Sequence, residues 1–191
     1  MKLILIKHSM PVLDSEQPSN KWTLSEVGKK ESRELAAYLK AYNFQTVFSS
    51  DEPKAIETAE IIANQLGKET VITMNTYEHE RRNNRKIFPR TEFEAIMRKF
   101  FEQPNELIFG EETADNARKR FTAAIEKIIN SNENEKDIIL VTHGTVISLF
   151  VDQFQSIDVF KLWNELECPS FVELTLPTYQ INKVVKLGEK Y

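Results

Sequence analysis

Two of the three histidines, His8 and His143, each follow directly on a short apolar run, Leu3 to Ile6 in one case and Ile138 to Val141 in the other. Runs of this kind read as strands buried on both faces of a parallel sheet, which places both rings at strand ends. Parallel strands deliver their C-terminal ends to one edge, so the two imidazoles can meet although most of the chain separates them. One histidine at a strand end is usually structural; two at equivalent corners point to a working site. A further strand end carries Ser49-Ser50-Asp51-Glu52-Pro53-Lys54. Lys54 falls in the first turn of the following helix and can lean towards the same edge. With Lys7, which precedes His8, it supplies two fixed cations, as a phosphoryl group requires for recognition and for charge stabilisation during transfer.

The elements that must hold these residues alternate in type. After the first strand, a polar loop with Pro11 and Pro18 leads to Thr23-Leu24-Ser25-Glu26, a capping-box pattern that predicts a helix to about Ala41. Val47 and Phe48 form the second strand, and Pro53 opens a helix that Gly67 ends. Thr70 to Thr73 is a third strand, followed by polar chain and a second capping-box pattern, Thr91 and Glu94, for a helix to about Phe101. A helix from Thr113 to Ile129 precedes the strand that ends at Thr142-His143-Gly144, and a helix through Val146 to Phe150 follows it. Phe171 to Leu176 and Tyr179 to Lys186 read as late strands at the sheet edge. The expected fold is therefore α/β, a three-layer α/β/α arrangement with a mostly parallel central sheet.

A chain of 191 residues with 41% hydrophobic content suits one domain over 1–191, with a variable insertion or cap at about 75–112. A net charge of −4 opposes a general nucleic-acid partner, which needs a broad basic face. No apolar stretch approaches the ~20 residues of a membrane span, so no membrane partner is expected. The single Cys168 cannot close an internal disulfide and has no metal-ligand spacing; with no signal segment evident, the expected location is cytoplasmic.

The motifs resemble those of the histidine phosphatases, the phosphoglycerate mutase-like superfamily. Its signature is a strand ending in Arg-His-Gly, a Ser-Ser-x-x-x-Arg-Ala-x-x-Thr-Ala block, and a later strand ending in Ser/Thr-His-Gly. Here these stand as Lys7-His8-Ser9, Ser49 to Ala59 and Thr142-His143-Gly144. Leu24 to Gly28 is similar to the family's Leu-Thr-x-x-Gly helix start, and Gly110-Glu111-Glu112 to its Gly-Glu-Ser/Thr segment. The order and spacing of these pieces make the set specific. Three positions depart from it: Lys7 and Lys54 replace arginines, turning two bidentate forks into point charges, and Ser9 replaces glycine.

The resemblance implies a phosphoglycerate mutase-like fold and a metal-independent phosphatase acting on a small phosphomonoester, with no cofactor. His8 would be the nucleophile and form a phosphohistidine, while Lys7, Lys54, His143 and Gly144 would hold the phosphoryl group. The general acid would come from a carboxylate after the third strand. Glu78 matches that position better than Glu80, and His79 between them is expected to be exposed. Arg81, Arg82, Arg85, Lys86 and Arg90 form a local basic cluster, and Arg81 is the one chosen to enter the pocket. Trp22, Phe88, Phe93, Phe100 and Phe101 read either as packing or as a cap over the site. Two rival functions are a phosphoglycerate mutase and a non-catalytic phospholigand-binding protein of the same fold. The sequence leaves oligomeric state open, a homodimer being one option.

Overall fold

The computed structural model describes residues 1–189 and contains one six-stranded sheet flanked by helices. In chain order these are β1 (Lys2–Lys7), α1 (Glu26–Leu39), β2 (Thr46–Ser49), α2 (Pro53–Leu66), β3 (Glu69–Ile72), α3 (Arg90–Glu102), α4 (Ala114–Ser131), β4 (Asp137–Thr142), α5 (Gly144–Asp152), α6 (Val159–Glu165), β5 (Cys168–Thr175) and β6 (Gln180–Glu189). The strand order is β3-β2-β4-β1-β5-β6. β3, β2, β4 and β1 run parallel, while β5 pairs antiparallel with β1 and β6 antiparallel with β5. The sheet is mostly parallel, as expected, but the late strands are not both at an edge: β5 lies inside, directly beside the strand that carries His8. β5 is buried along nearly all its length, as a strand with partners on both sides must be.

Alternation along the strands builds the three layers. Leu3 and Leu5 of β1 face one side, with Phe121 and Ile125 of α4 and Ile147 and Phe150 of α5. Ile4 and Ile6 face the other, with Leu35 and Leu39 of α1 and Ala59 and Ile62 of α2. Every side chain from Leu3 to Ile6 is fully buried, so the unbroken apolar run is the direct record of a strand covered on both faces. A third cluster, separate from these, joins Met97 and Phe100 of α3 to Ala114, Ala117 and Leu149, with Phe160 and Trp163 of α6 packed against it. It forms the core of a cap above the strand ends. α6 lies outside the expected insertion at 75–112, so the cap is drawn from two distant parts of the chain. Among the described residues, no helix is long and apolar enough to cross a membrane.

Two capping expectations need correction. α1 is capped by Ser25, whose side chain accepts the Gly28 N–H, and not by Thr23. α3 begins at Arg90 behind Pro89, so Thr91 lies inside the helix and caps nothing. Pro89, at the N-cap position, fixes the start two residues earlier than the pattern suggests. Gly28 has a packing role as well. A Cβ there would lie 2.1 Å from the Met10 carbonyl oxygen, so only glycine lets α1 approach the loop that leaves His8.

Candidate active site

The sheet ladder continues one step beyond the strands and fixes the corners. The His8 N–H donates to the Thr142 carbonyl at 3.0 Å, and the Ser50 N–H to the Val141 carbonyl at 2.9 Å. β4 therefore lies between its two neighbours as a ruler, setting His8, His143 and Ser50 at one level. The His8 and His143 rings meet edge to face with centroids 5.2 Å apart. Both are buried, His8 at 3% exposure and His143 at 0%.

The His8 tautomer follows from its partner. Nδ1 lies 2.8 Å from the Ser9 carbonyl oxygen, which can only accept, so Nδ1 carries the proton and Nε2 keeps its lone pair. Burial, then the positive charge of Lys54, hold His8 well below its ordinary pKa and so keep it neutral. His143 is likewise held neutral, by burial first and then by Lys54, Arg81 and Arg120. Its Nε2 lies 2.9 Å from Ser50 Oγ, while Nδ1 is buried without a hydrogen-bond partner among the described residues.

Ser9 occupies the place where the motif has glycine, and the structure shows how its hydroxyl is accommodated. Ser9 Oγ accepts a hydrogen bond from Ser32 Oγ at 2.8 Å, and the Ser9 N–H donates to Thr58 Oγ1 at 3.1 Å. Each buried polar atom has a partner, so the substitution costs little.

The remaining expected residues converge on one small cavity, about 40 Å³, lined by Lys7, His8, Lys54, Glu78, Arg81, His143 and Gly144 among others. Lys7 Nζ donates to the Leu166 carbonyl at 2.8 Å, and Gly144 opens α5 against the Lys7 side chain. Glu78 Oε2 accepts the Thr145 N–H at 3.3 Å, in the first turn of α5. Glu80, the alternative acid, is ion-paired to Arg82 at 3.2 Å and does not line the cavity. Arg81 points in, its Nε 3.3 Å from Ser19 Oγ and its guanidinium over the rings of Phe93 and Phe109. The other basic residues, Arg82, Arg85, Lys86 and Arg90, are exposed, as a solvated charged face would be. Lys86 pairs with Glu92 and Arg90 with Glu94, and both line a larger cleft that opens from the cavity. Trp22, Phe88 and Phe93 line this cleft too, whereas Phe100 and Phe101 are buried in the core of the cap.

Three features were not foreseen. Lys54 is not an uncompensated cation: it forms a buried ion pair with Glu52 and also donates to the Ser19 carbonyl at 2.7 Å. Burial alone would push the Glu52 carboxyl up, but the Lys54 charge and hydrogen bond outweigh it and hold Glu52 below the usual range. Glu52 Oε1 accepts the Glu78 N–H at 3.0 Å and lies 3.8 Å from His143 Nε2, behind the cavity wall. Arg120 of α4 clamps the segment that carries Glu78. Its guanidinium donates to the carbonyls of Asn75 (3.0 Å), Tyr77 (3.0 Å) and Glu78 (3.2 Å), and it pairs with Glu112. Glu112 also accepts the Glu80 N–H at 2.9 Å. His79 is buried, not exposed, with its ring against Phe100 at 4.4 Å and Nε2 3.2 Å from the Glu112 carbonyl. A serine-rich strand end beside Pro53 makes Glu52 look like a surface acid, and Arg120 is one charge among several on α4. The only sequence signal for either was its distance from the Ser-Ser and Gly-Glu motifs.

An α/β sheet with two facing histidines at its C-terminal edge, ringed by cations and one carboxylate, defines a class of proteins built around a histidine-centred anion pocket. Within it, this chain belongs to the histidine phosphatase superfamily, branch 1, whose profile it matches over residues 3–184. It is 26% identical over 160 residues to phosphoglycerate mutase-like protein 4 of Arabidopsis thaliana, covering 74% of this chain and 69% of that protein. The fold is shared with phosphoserine phosphatase of Entamoeba histolytica, at a TM-score of 0.76, 19% identity and 96% coverage of both chains. It is also shared with mycobacterial glucosyl-3-phosphoglycerate phosphatase, at a TM-score of 0.73, 16% identity and coverage of 98% and 99%. The phosphoglycerate mutase-like fold expected from the motifs is thus the fold observed.

Proposed function

We propose that this protein is a phosphatase that hydrolyses a small phosphomonoester through a phosphohistidine on His8. The observation that carries the reading is the His8 ring itself: buried, neutral, with Nδ1–H committed to the Ser9 carbonyl and the Nε2 lone pair available. Nucleophilic catalysis by imidazole requires that state.

In the first half-reaction His8 Nε2 attacks phosphorus, the bond to the alcohol oxygen breaks, and Glu78 gives that oxygen its proton. In the second, a water attacks the phosphohistidine, Glu78 takes the water proton, and inorganic phosphate leaves with His8 neutral again. Phosphoryl transfer demands mainly position and charge stabilisation, which Lys7, Lys54, Arg81 and a ring N–H of His143 supply around the oxygens. No step requires a metal or a cofactor.

The test is hydrolysis of phenyl phosphate with EDTA present, comparing wild type with His8→Ala. Activity is expected to survive chelation and to vanish in the variant; equal hydrolysis by both, or dependence on added metal, overturns the mechanism. With 3-phosphoglycerate as substrate, release of inorganic phosphate is expected. Conversion to 2-phosphoglycerate without phosphate release would assign the mutase reaction instead.

A further inference from the structure

The cavity around His8 opens into a second compartment of about 200 Å³, and the two share Lys7, Ser19, Trp22, Arg81, Phe93 and Trp163 in their walls. We infer that this outer cleft is a leaving-group subsite for an aromatic ring, so that the substrate is an aryl or arylalkyl phosphomonoester. The inference rests on the phosphatase reading above and adds to it the chemistry of the alcohol.

The walls combine a cluster of aromatic rings with polar and charged side chains. Phe93 packs against Trp163 with ring centroids 5.7 Å apart, against Phe109 at 6.0 Å and against Phe88 at 6.1 Å. Trp22 is fixed by its indole N–H, which donates to the Asp14 carbonyl at 2.8 Å. Rings held by one another keep their faces and edges in place, and such surfaces favour another ring in a stacked or edge-to-face contact. The size agrees: an apolar cavity of about 150 Å³ is known to take up benzene, so 200 Å³ holds a substituted ring. Burying a ring against these surfaces is the source of the affinity expected here.

Two of the cations that line the cleft are already paired, which favours ring contact over a second anionic group as the chief determinant. Lys86 already carries Glu92 and Arg90 carries Glu94. Arg81 lays its guanidinium on the Phe93 and Phe109 rings at the junction with the phosphoryl cavity. Arg85 in the outer wall forms no ion pair among the described residues, but Glu94 and Glu167 line the same cleft, and between these polar groups the rings of Trp22, Phe88, Phe93, Phe109 and Trp163 supply its apolar faces.

Binding of phosphonates, which cannot be cleaved, tests the subsite independently of turnover. The protein has two tryptophans, and both line this cleft, so intrinsic fluorescence reports its occupation directly. Benzylphosphonate is expected to bind at least ten-fold more tightly than methylphosphonate or phosphonoacetate. Phe93→Ala should remove most of that preference. Leu13→Gln alters an exposed wall residue that cannot compromise folding, and should reduce the preference about three-fold. Equal affinities for benzyl- and methylphosphonate, a preference for phosphonoacetate, or a benzyl preference untouched in Leu13→Gln would each overturn the inference. A preference for benzylphosphonate in a protein that hydrolyses nothing would uphold the subsite and remove the phosphatase reading instead.

Discussion

Lys54, in the wall of a cavity otherwise built to receive an anion, forms a buried ion pair with Glu52 behind it. The carboxylate offsets the lysine charge that would meet a phosphoryl oxygen, while its other oxygen holds the Glu78 backbone. Attraction for the anion is therefore traded against fixation of the acid.

Glu52→Gln should separate these two effects. The amide oxygen still accepts the Glu78 N–H, but its NH₂ now faces the Lys54 ammonium. Inhibition by inorganic phosphate is expected to strengthen about ten-fold, corresponding to about 1.4 kcal/mol. The melting temperature should fall, because breaking a buried pair from one side costs about 3 kcal/mol. Phosphate inhibition constants and thermal melts measure both; unchanged phosphate affinity would remove Glu52 from the control of anion binding.

Arg120→Met is expected to lower kcat more than it raises KM for any phosphomonoester. Its guanidinium ties three carbonyls of the 75–78 segment to α4, and Met keeps the apolar stem while discarding all of them. Glu78 then loses its fixed position, and stability should drop by about 3 kcal/mol because Glu112 is left without its partner. Steady-state kinetics together with denaturant unfolding check it; an unaltered kcat in a destabilised protein would make the clamp purely structural.

Stability should fall on acidification below neutral pH, with His79 a main contributor. Burial, reinforced by the Arg81 charge, brings its pKa down to about 4. In the unfolded chain the ring titrates near 6.5, so between those values the unfolded state binds more protons and acid favours unfolding. The stabilisation is complete above about pH 6.5 and is lost as pH falls towards 4, amounting to about 3 kcal/mol over the window. His79→Phe, which preserves the contact with Phe100, should lessen the pH dependence of the melting temperature between 7 and 4, leaving the part due to the buried His8 and His143. A slope identical to wild type would locate the titration elsewhere.

Much of this site was legible before any coordinates, for a physical reason. β1 and β4 are buried on both faces, so their sequences must be apolar throughout, and the first polar residues after them stand out at the ends. The same ladder that buries them sets the level of His8 and His143. The invisible parts depend on pairing across long separations. Nothing local distinguishes Glu52 from Asp51, and only the approach of Lys54 makes it a buried ion. His79 sits in a polar stretch, and its burial is set by α3 and the 108–112 segment packing over it. β5 went to the sheet interior because an antiparallel partner for β1 was available there, a choice of pairing that alternation cannot encode. α6 is short, and its single buried side chain, Leu162, leaves no amphipathic stripe to read.

The cap stands on a cluster of its own, in which Met97, Phe100 and Ala117 are packed apart from the two layers that clamp the sheet. Its one residue from the helix that His143 begins is Leu149, far along from the catalytic end. Changes on the Met97 and Phe100 face of α3 can therefore reshape the entrance while the strand ends keep their own packing, much as a lock's keyway can be recut while its bolt stays in place. In a lineage of such proteins, choice of alcohol and cleavage of phosphate are free to diverge at different speeds.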